Sequence, residues 1–184
     1  METMKTASAL ARLALIIPAA VACSPVSQSP AQPSTHTPTA TVLRAVDGDT
    51  VDVRDDIRGR LRVRILGIDS PELHKPGWSV GCYAPEAADF AGRNLTGRRV
   101  ALAPDPGQDT NDKYGRTLAY IIRDDGWNYS VEAVRAGMAR PYVYGRKPLG
   151  LSPEINAAEA QAKTERAGLW GPECNGHTDS VKER

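Results

Sequence analysis

Aromatic side chains are scarce in this chain: one phenylalanine, three tryptophans and six tyrosines make up 5% of its 184 residues. Any core must therefore rest on Val, Ile, Leu and Ala, the other residue types that are commonly buried. An excess of either charge is missing too. Lys and Arg number 23 against 22 Asp and Glu, so the surplus of positive charge that marks a strongly basic nucleic-acid binder is absent. Basic faces can only be local, as at Arg58–Arg64 and Arg93–Arg99, and solvated surface is the commoner meaning of such runs. No apolar run reaches the roughly 20 residues of a membrane span, and no internal repeat is visible.

The start of the chain is informative. Lys5 and Arg12 precede the apolar stretch Leu13–Ala22, the layout of a secretory signal. Ala19, Ala20 and Ala22 then lead to Cys23. This order resembles a bacterial lipobox, in which the cysteine is lipidated and becomes the new N-terminus, although Ala20 stands where leucine is usual. Ordinary cleavage beside an incidental cysteine is the alternative. Both predict an exported protein, either a cell-surface lipoprotein with residues 1–23 as its signal or a secreted one. Residues 24–40 are rich in Ser, Pro, Thr and Gln without apolar periodicity, a composition that cannot offset its own ordering entropy and reads as a tether.

Residues 41–174 suit one compact domain. Beyond Cys23 only Cys82 and Cys174 remain. In an oxidising compartment an isolated pair suggests a disulfide, which loop entropy would value at about 4–5 kcal/mol; two free thiols are the other reading. The polar tail, residues 175–184, is expected to fray.

Within the domain, Thr41–Val46 and Thr50–Arg54 are short β-branched runs around Asp47-Gly48-Asp49, a hairpin signal. In Arg60–Ile68, Leu61, Val63 and Ile65 alternate with arginines, as in a half-buried strand. Pro85–Leu95 predicts a helix with Ala88, Ala91 and Leu95 on one face and Gly97 as its stop. Arg99–Ala103 and Thr117–Arg123 read as strands, Ser130–Met138 as a short helix and Pro141–Gly145 as extended. Ser152-Pro153-Glu154 opens the best helix, with Ser152 as its expected cap. Short strands with helices between and after them suggest an α+β domain built on a small closed β-barrel of the OB type.

The chemistry lies in three segments. Asp47-Gly48-Asp49-Thr50 offers carboxylates in a tight turn, suited to a hard cation, though Asp-Gly is also an ordinary hairpin turn. Arg64 to Glu72 places Asp69 at a strand end and Glu72 just past Pro71. Asp49, Asp69 and the carbonyl of Ser70 could together supply oxygen ligands, leaving Glu72 to act on a nucleophile. Arg64 and Asp69 differ in strand parity, so a regular strand would aim them at opposite faces; Gly67 is where a bulge or strand end could unite them. Asp112-Lys113-Tyr114-Gly115-Arg116 adds a guanidinium that can grip phosphate in a fork and a ring that can stack on a base. Tyr142 and Tyr144 could extend that platform. His74 beside Pro76 reads as a solvent-facing loop residue rather than a general base.

Taken in order, Val46-Asp-Gly-Asp-Thr-Val51, Arg64 to Glu72, Tyr83-Ala-Pro-Glu-Ala87, Asp112-Lys-Tyr-Gly-Arg116, Tyr142-Val-Tyr144, Glu159-Ala-Gln-Ala-Lys163 and Gly168-Leu-Trp170 resemble the staphylococcal nuclease family across about Thr41–Trp170. The resemblance implies a five-stranded OB-fold barrel with three helices, and a monomeric calcium-dependent phosphodiesterase acting on DNA and RNA and leaving 3′-phosphate ends. It implies Ca2+ held by the side chains of Asp49 and Asp69 and the carbonyl of Ser70, where the family usually has threonine. Arg64, Glu72 and Arg116 would be catalytic; Lys113, Tyr114, Tyr142 and Tyr144 would line the nucleotide pocket. The competing expectation is a non-catalytic OB module that binds nucleic acid or protein, since fold does not fix function. A structural calcium-binding domain is a third; it would need the acids but neither arginine.

Overall fold

The computed structural model describes residues 36–183; the expected signal segment, Cys23 and most of the tether lie outside the described residues. Ala40, expected at the end of the tether, is instead the fully buried first residue of strand β1, Ala40–Ala45. β1 pairs antiparallel with β2, Thr50–Asp55, which pairs antiparallel with β3, Gly59–Ile65. The chain then forms a short β4, Ile68–Asp69, and helix α1, Ala84–Leu95, before β5, Arg99–Ala103, and β6, Thr117–Arg123. β5 and β6 are antiparallel, β6 runs parallel to β3, and β5 returns to β1. The five strands β1-β2-β3-β6-β5 thus close a barrel, as expected. Closure leaves no unpaired strand edge on this sheet.

Aliphatic residues fill the barrel. Val42, Val51, Val53, Val63, Ile65, Val100 and Ile121 are each at most 1% exposed, and each such burial is worth about 1.5–3 kcal/mol. Along β3, Val63 and Ile65 turn inward while Arg60 and Arg62 stay exposed, so the alternation in the sequence is realised. The strand does not run on to Ile68, however. Gly67 breaks it with a left-handed φ of 82°, and β4 leaves to pair with β7, Arg140–Pro141.

Three helices pack around the barrel. α1 buries Ala84, Ala87, Ala91 and Leu95, with Ala88 only half-buried, so its inner face is turned from the expected one while small alanines permit close approach. Helix α2, Tyr129–Arg135, begins earlier than the apolar pattern suggests because Asn128 caps it, its Oδ1 accepting from the Ser130 N–H at 2.9 Å. Helix α3, Ser152–Glu165, is capped differently from expectation. The cap position falls on Leu151, which offers no side-chain acceptor, and Ser152 already lies inside the first turn. Pro141–Gly145 is extended only at its start. After β7 the chain turns into a 3-10 segment at Tyr144–Arg146, with Gly145 at φ 63°.

Cys82 and Cys174 are disulfide-bonded across a sequence separation of 92. Beyond Cys174 the chain is not frayed. Trp78 bridges Lys182, Ser79 N–H donates to the Val181 carbonyl at 2.8 Å, and Glu183 N–H donates to the Gly77 carbonyl at 2.9 Å. The tail therefore adds a strap to the loop between β4 and α1. Composition alone could not reveal this, because most of its bonds are made by backbone.

Candidate active site

The turn between β1 and β2 carries Asp47 and Asp49. Gly48 between them has an ordinary φ, and space is what requires a glycine there. A β-carbon would lie 2.6 Å from Ser70 Cβ and 2.9 Å from Ala87 Cβ. The turn can thus sit directly on Ser70 and on α1. Asp49 is buried, 6% exposed. Its Oδ2 accepts from Ser70 N–H at 2.9 Å and meets Arg64 Nη2 at 3.0 Å, while its Oδ1 accepts from the Thr50 hydroxyl at 3.0 Å.

Arg64 joins the acids. Its Nη1 donates to the carbonyls of Ile65 and Ile68 at 3.0 and 2.8 Å, and its Nη2 reaches Asp69 Oδ1 at 2.8 Å. The two carbonyls flank the Gly67 turn, so the break in the strand creates the acceptors that orient the guanidinium and brings Arg64 and Asp69 together. Of the bulge or strand end that the sequence allows at Gly67, the strand end is the form it takes. Asp69 lies open, its side chain 57% exposed. Partial withdrawal from water, and then the Asp49 carboxylate, raise its pKa from its ordinary value.

Arg116 approaches from the loop before β6. Asp112 holds it, accepting from Arg116 Nε at 2.6 Å and from its backbone N–H at 2.9 Å. Burial works against the charge of Asp112, but the Arg116 guanidinium and the backbone N–H groups of Arg116 and Tyr114 outweigh it and lower its pKa. Asp49, Asp69, Ser70, Glu72, Arg64 and Arg116 all line one cleft of about 590 Å³. Lys113, Tyr114, Tyr142 and Tyr144 line an adjoining cavity of about 290 Å³, and Arg64, Asp69 and Arg116 form the wall shared by both. Tyr142 is held by its N–H donating to the Gly67 carbonyl at 2.9 Å, and its ring lies 6.0 Å from the Arg64 guanidinium. Tyr114 is 72% exposed, its ring flanked by Lys113 and Arg116.

Three further features line or hold this site beyond the residues the sequence assigned to it. Asp47 faces the cleft, and withdrawal from water together with the neighbouring Asp49 carboxylate pushes its pKa up to about 7. The pairing of acids in Asp47-Gly48-Asp49 was a signal for it. Asp112 anchors Arg116, four residues on in the same motif. Thr178, Asp179 and Ser180 of the strap close the cleft beside Glu72 and His74, and nothing in their composition announces that.

Among the described residues no three His, Cys, Asp or Glu side chains are grouped so as to hold a metal by themselves. The donors that do meet are hard oxygens, two carboxylates sharing one guanidinium beside the backbone of Ser70, with Asp47 adjacent. That chemistry suits an oxygen-seeking cation such as calcium, completed by carbonyls and water.

A closed barrel of this topology, carrying carboxylates and two arginines on one cleft with tyrosines beside it, defines an OB-type barrel domain with a charged cleft on its surface. The chain belongs to the staphylococcal nuclease family: the profile described as "Staphylococcal nuclease homologue" matches residues 62–172. It is 35% identical over 129 residues to the thermonuclease of Staphylococcus hyicus, covering 70% of this chain and 73% of that one. The thermonuclease of Staphylococcus intermedius is likewise 35% identical, over 70% of this chain and 74% of its own length. An SPbeta prophage-derived endonuclease of Bacillus subtilis is 36% identical over 71% of this chain and 43% of its own.

Proposed function

We propose that the protein is an exported, calcium-dependent nuclease that hydrolyses phosphodiester bonds of DNA and RNA. The observation that carries this reading is the presence of Arg64 and Arg116 on the same cleft as Asp49, Asp69 and Glu72. A merely structural calcium site has no use for two guanidinium groups, and a binding module has no use for a glutamate beside them that has no side-chain partner among the described residues. The thermonuclease relatives support the same activity.

Asp49 and Asp69, with the Ser70 carbonyl, would hold the cation. Bound there, calcium supplies Lewis acidity toward a non-bridging phosphate oxygen. Glu72, exposed at the cleft, orients a water for in-line attack and accepts its proton. Arg64, its Nη1 held by the Ile65 and Ile68 carbonyls, offers its Nε–H to the phosphoryl oxygens. Arg116 is steadied by Asp112 and uses its remaining N–H groups in the same way. The tyrosine-lined cavity with Lys113 receives the nucleoside and an adjoining phosphate. The products expected carry 3′-phosphate ends.

Export, with lipid on Cys23 or by secretion, belongs to the same proposal. The Cys82–Cys174 bond supports it, since such bonds persist in oxidising compartments. The test is digestion of single-stranded DNA and of RNA by the purified protein with calcium, with magnesium and with a calcium chelator. Cleavage in calcium that stops on chelation is expected. Cleavage that persists under chelation overturns the calcium role, and binding without cleavage in calcium favours the non-catalytic module.

A further inference from the structure

Glu72 stands on the loop between β4 and α1, and its backbone is what fixes it. Its carbonyl accepts from the Gly81 N–H at 2.9 Å. Gly81 is in turn enclosed: a β-carbon there would lie 3.1 Å from the Glu72 nitrogen, 3.2 Å from Pro71 Cβ and 2.8 Å from the carbonyl oxygen of Thr178. Glu72, Gly81 and Thr178 are therefore stacked backbone on backbone, and the third belongs to the C-terminal strap.

Two devices hold the strap in place. The disulfide joins Cys82, the residue after Gly81, to Cys174. Hydrogen bonds then continue outward, with Val181 N–H donating to Ser79 Oγ at 2.9 Å and Glu183 N–H to the Gly77 carbonyl. Without the strap the Glu72 loop has little regular structure of its own. A loop of that kind samples many conformations, and displacement of a catalytic group by about 1 Å can cost about 100-fold in rate.

We propose that the C-terminal strap, residues 177–183, is a positioning element for Glu72, held by the Cys82–Cys174 bond and acting through Gly81. The proposal rests on the nuclease reading of Glu72. It makes turnover sensitive to thiols. A dithiol reductant transfers two electrons and two protons to the bond, leaving two cysteine thiols and its own cyclic disulfide; the latch is then open although the metal acids and both arginines are untouched.

The test uses the full-length protein with calcium and single-stranded DNA, oxidised and after dithiothreitol, beside Gly81→Ala and the Cys82→Ser/Cys174→Ser double variant. Thermal melts identify any variant that does not fold, and Gly81→Ala retains the disulfide. Reduction and Gly81→Ala should each lower kcat by about tenfold or more while KM changes by less than about twofold. In the Glu72→Ala background, reduction should cause no further loss, because two changes acting through one group do not add. Amide hydrogen exchange across residues 72–81 should accelerate on reduction. Unchanged kcat, a rise in KM in place of a fall in kcat, or an equal further loss in Glu72→Ala overturns the proposal. If the oxidised protein cleaves nothing, the nuclease reading fails, and unaltered exchange then separately removes the strap's hold on the loop.

Discussion

The hydroxyl of Tyr129, a residue with no exposed surface, donates to the carbonyl of Gly48 at 2.7 Å. This bond ties the first turn of α2 to the turn that carries Asp47 and Asp49, and burial pushes the Tyr129 pKa well above its usual value, so the proton stays in place. Tyr129→Phe keeps the packing with Phe90 and Trp127 but leaves a buried carbonyl without its donor. It should cost about 1–3 kcal/mol, read as a lower melting temperature. Because the carbonyl belongs to the turn proposed to hold the cation, calcium affinity should fall as well. An unchanged calcium dissociation constant would show that the turn keeps its shape without the bond.

Arg64→Ala, Glu72→Ala and Arg116→Ala should each lower kcat/KM by about 100-fold or more with the fold retained. Asp112→Asn should lose less than Arg116→Ala, since Asp112 orients the guanidinium while the guanidinium itself remains. Combined with Arg116→Ala it should add little. Steady-state kinetics on single-stranded DNA, with circular dichroism as the control for folding, measures both. Digestion at near the parent rate by any one of the three alanine variants removes that residue from the mechanism.

Much of this site was legible because its parts are local. The alternation of Val63 and Ile65 with arginines predicts β3, and the family resemblance that the ordered motifs carry implies a cleft for a cation and a phosphate. What was not legible depends on tertiary partners. The inner face of α1 is decided by what Ala84 and Ala87 meet, and the Gly48 contact with Ala87 is made across the fold. The strap is held mainly by backbone pairing between residues about a hundred positions apart, which carries no periodicity. Asp47 looked like turn chemistry because its altered proton affinity comes from burial, and burial is a property of the folded chain.

Gly67 is where the local and tertiary requirements coincide. Its φ of 82° disfavours any side chain, and a β-carbon would lie 2.5 Å from Ile155 Cδ1. Gly67→Ala should destabilise by about 2–4 kcal/mol, backbone strain and overpacking together. Shortening the neighbour in Gly67→Ala/Ile155→Val should recover only the packing part. Activity at a temperature where the variant is fully folded should still be reduced, because the carbonyls of Ile65 and Ile68 that aim Arg64 flank this turn. Denaturant unfolding and kinetics on the same samples separate the two effects. Full activity in a folded Gly67→Ala protein would mean that Arg64 is aimed by the carboxylates alone.

Asp47 gives the pH dependence. Its carboxyl titrates at about 7 in the folded protein against an ordinary 3.8. Below pH 4 both states are protonated and the group contributes nothing. Between about 4 and 7 the unfolded chain gives up the proton first, so the folded state binds more protons and its stability falls as pH rises; above about 7 the loss is complete. Allowing for solvent at this half-buried carboxyl, the loss is on the order of 1–2 kcal/mol. In calcium-free buffer Asp47→Asn should therefore melt above the parent at pH 8, with the gap closing toward pH 4. Calcium bound beside Asp47 reverses the preference by favouring the charged form, so binding near pH 6 should release protons. Calorimetry in buffers of differing ionisation enthalpy measures that release, and it should shrink in Asp47→Asn. A melting difference that stays constant from pH 4 to 8 would place the titration elsewhere.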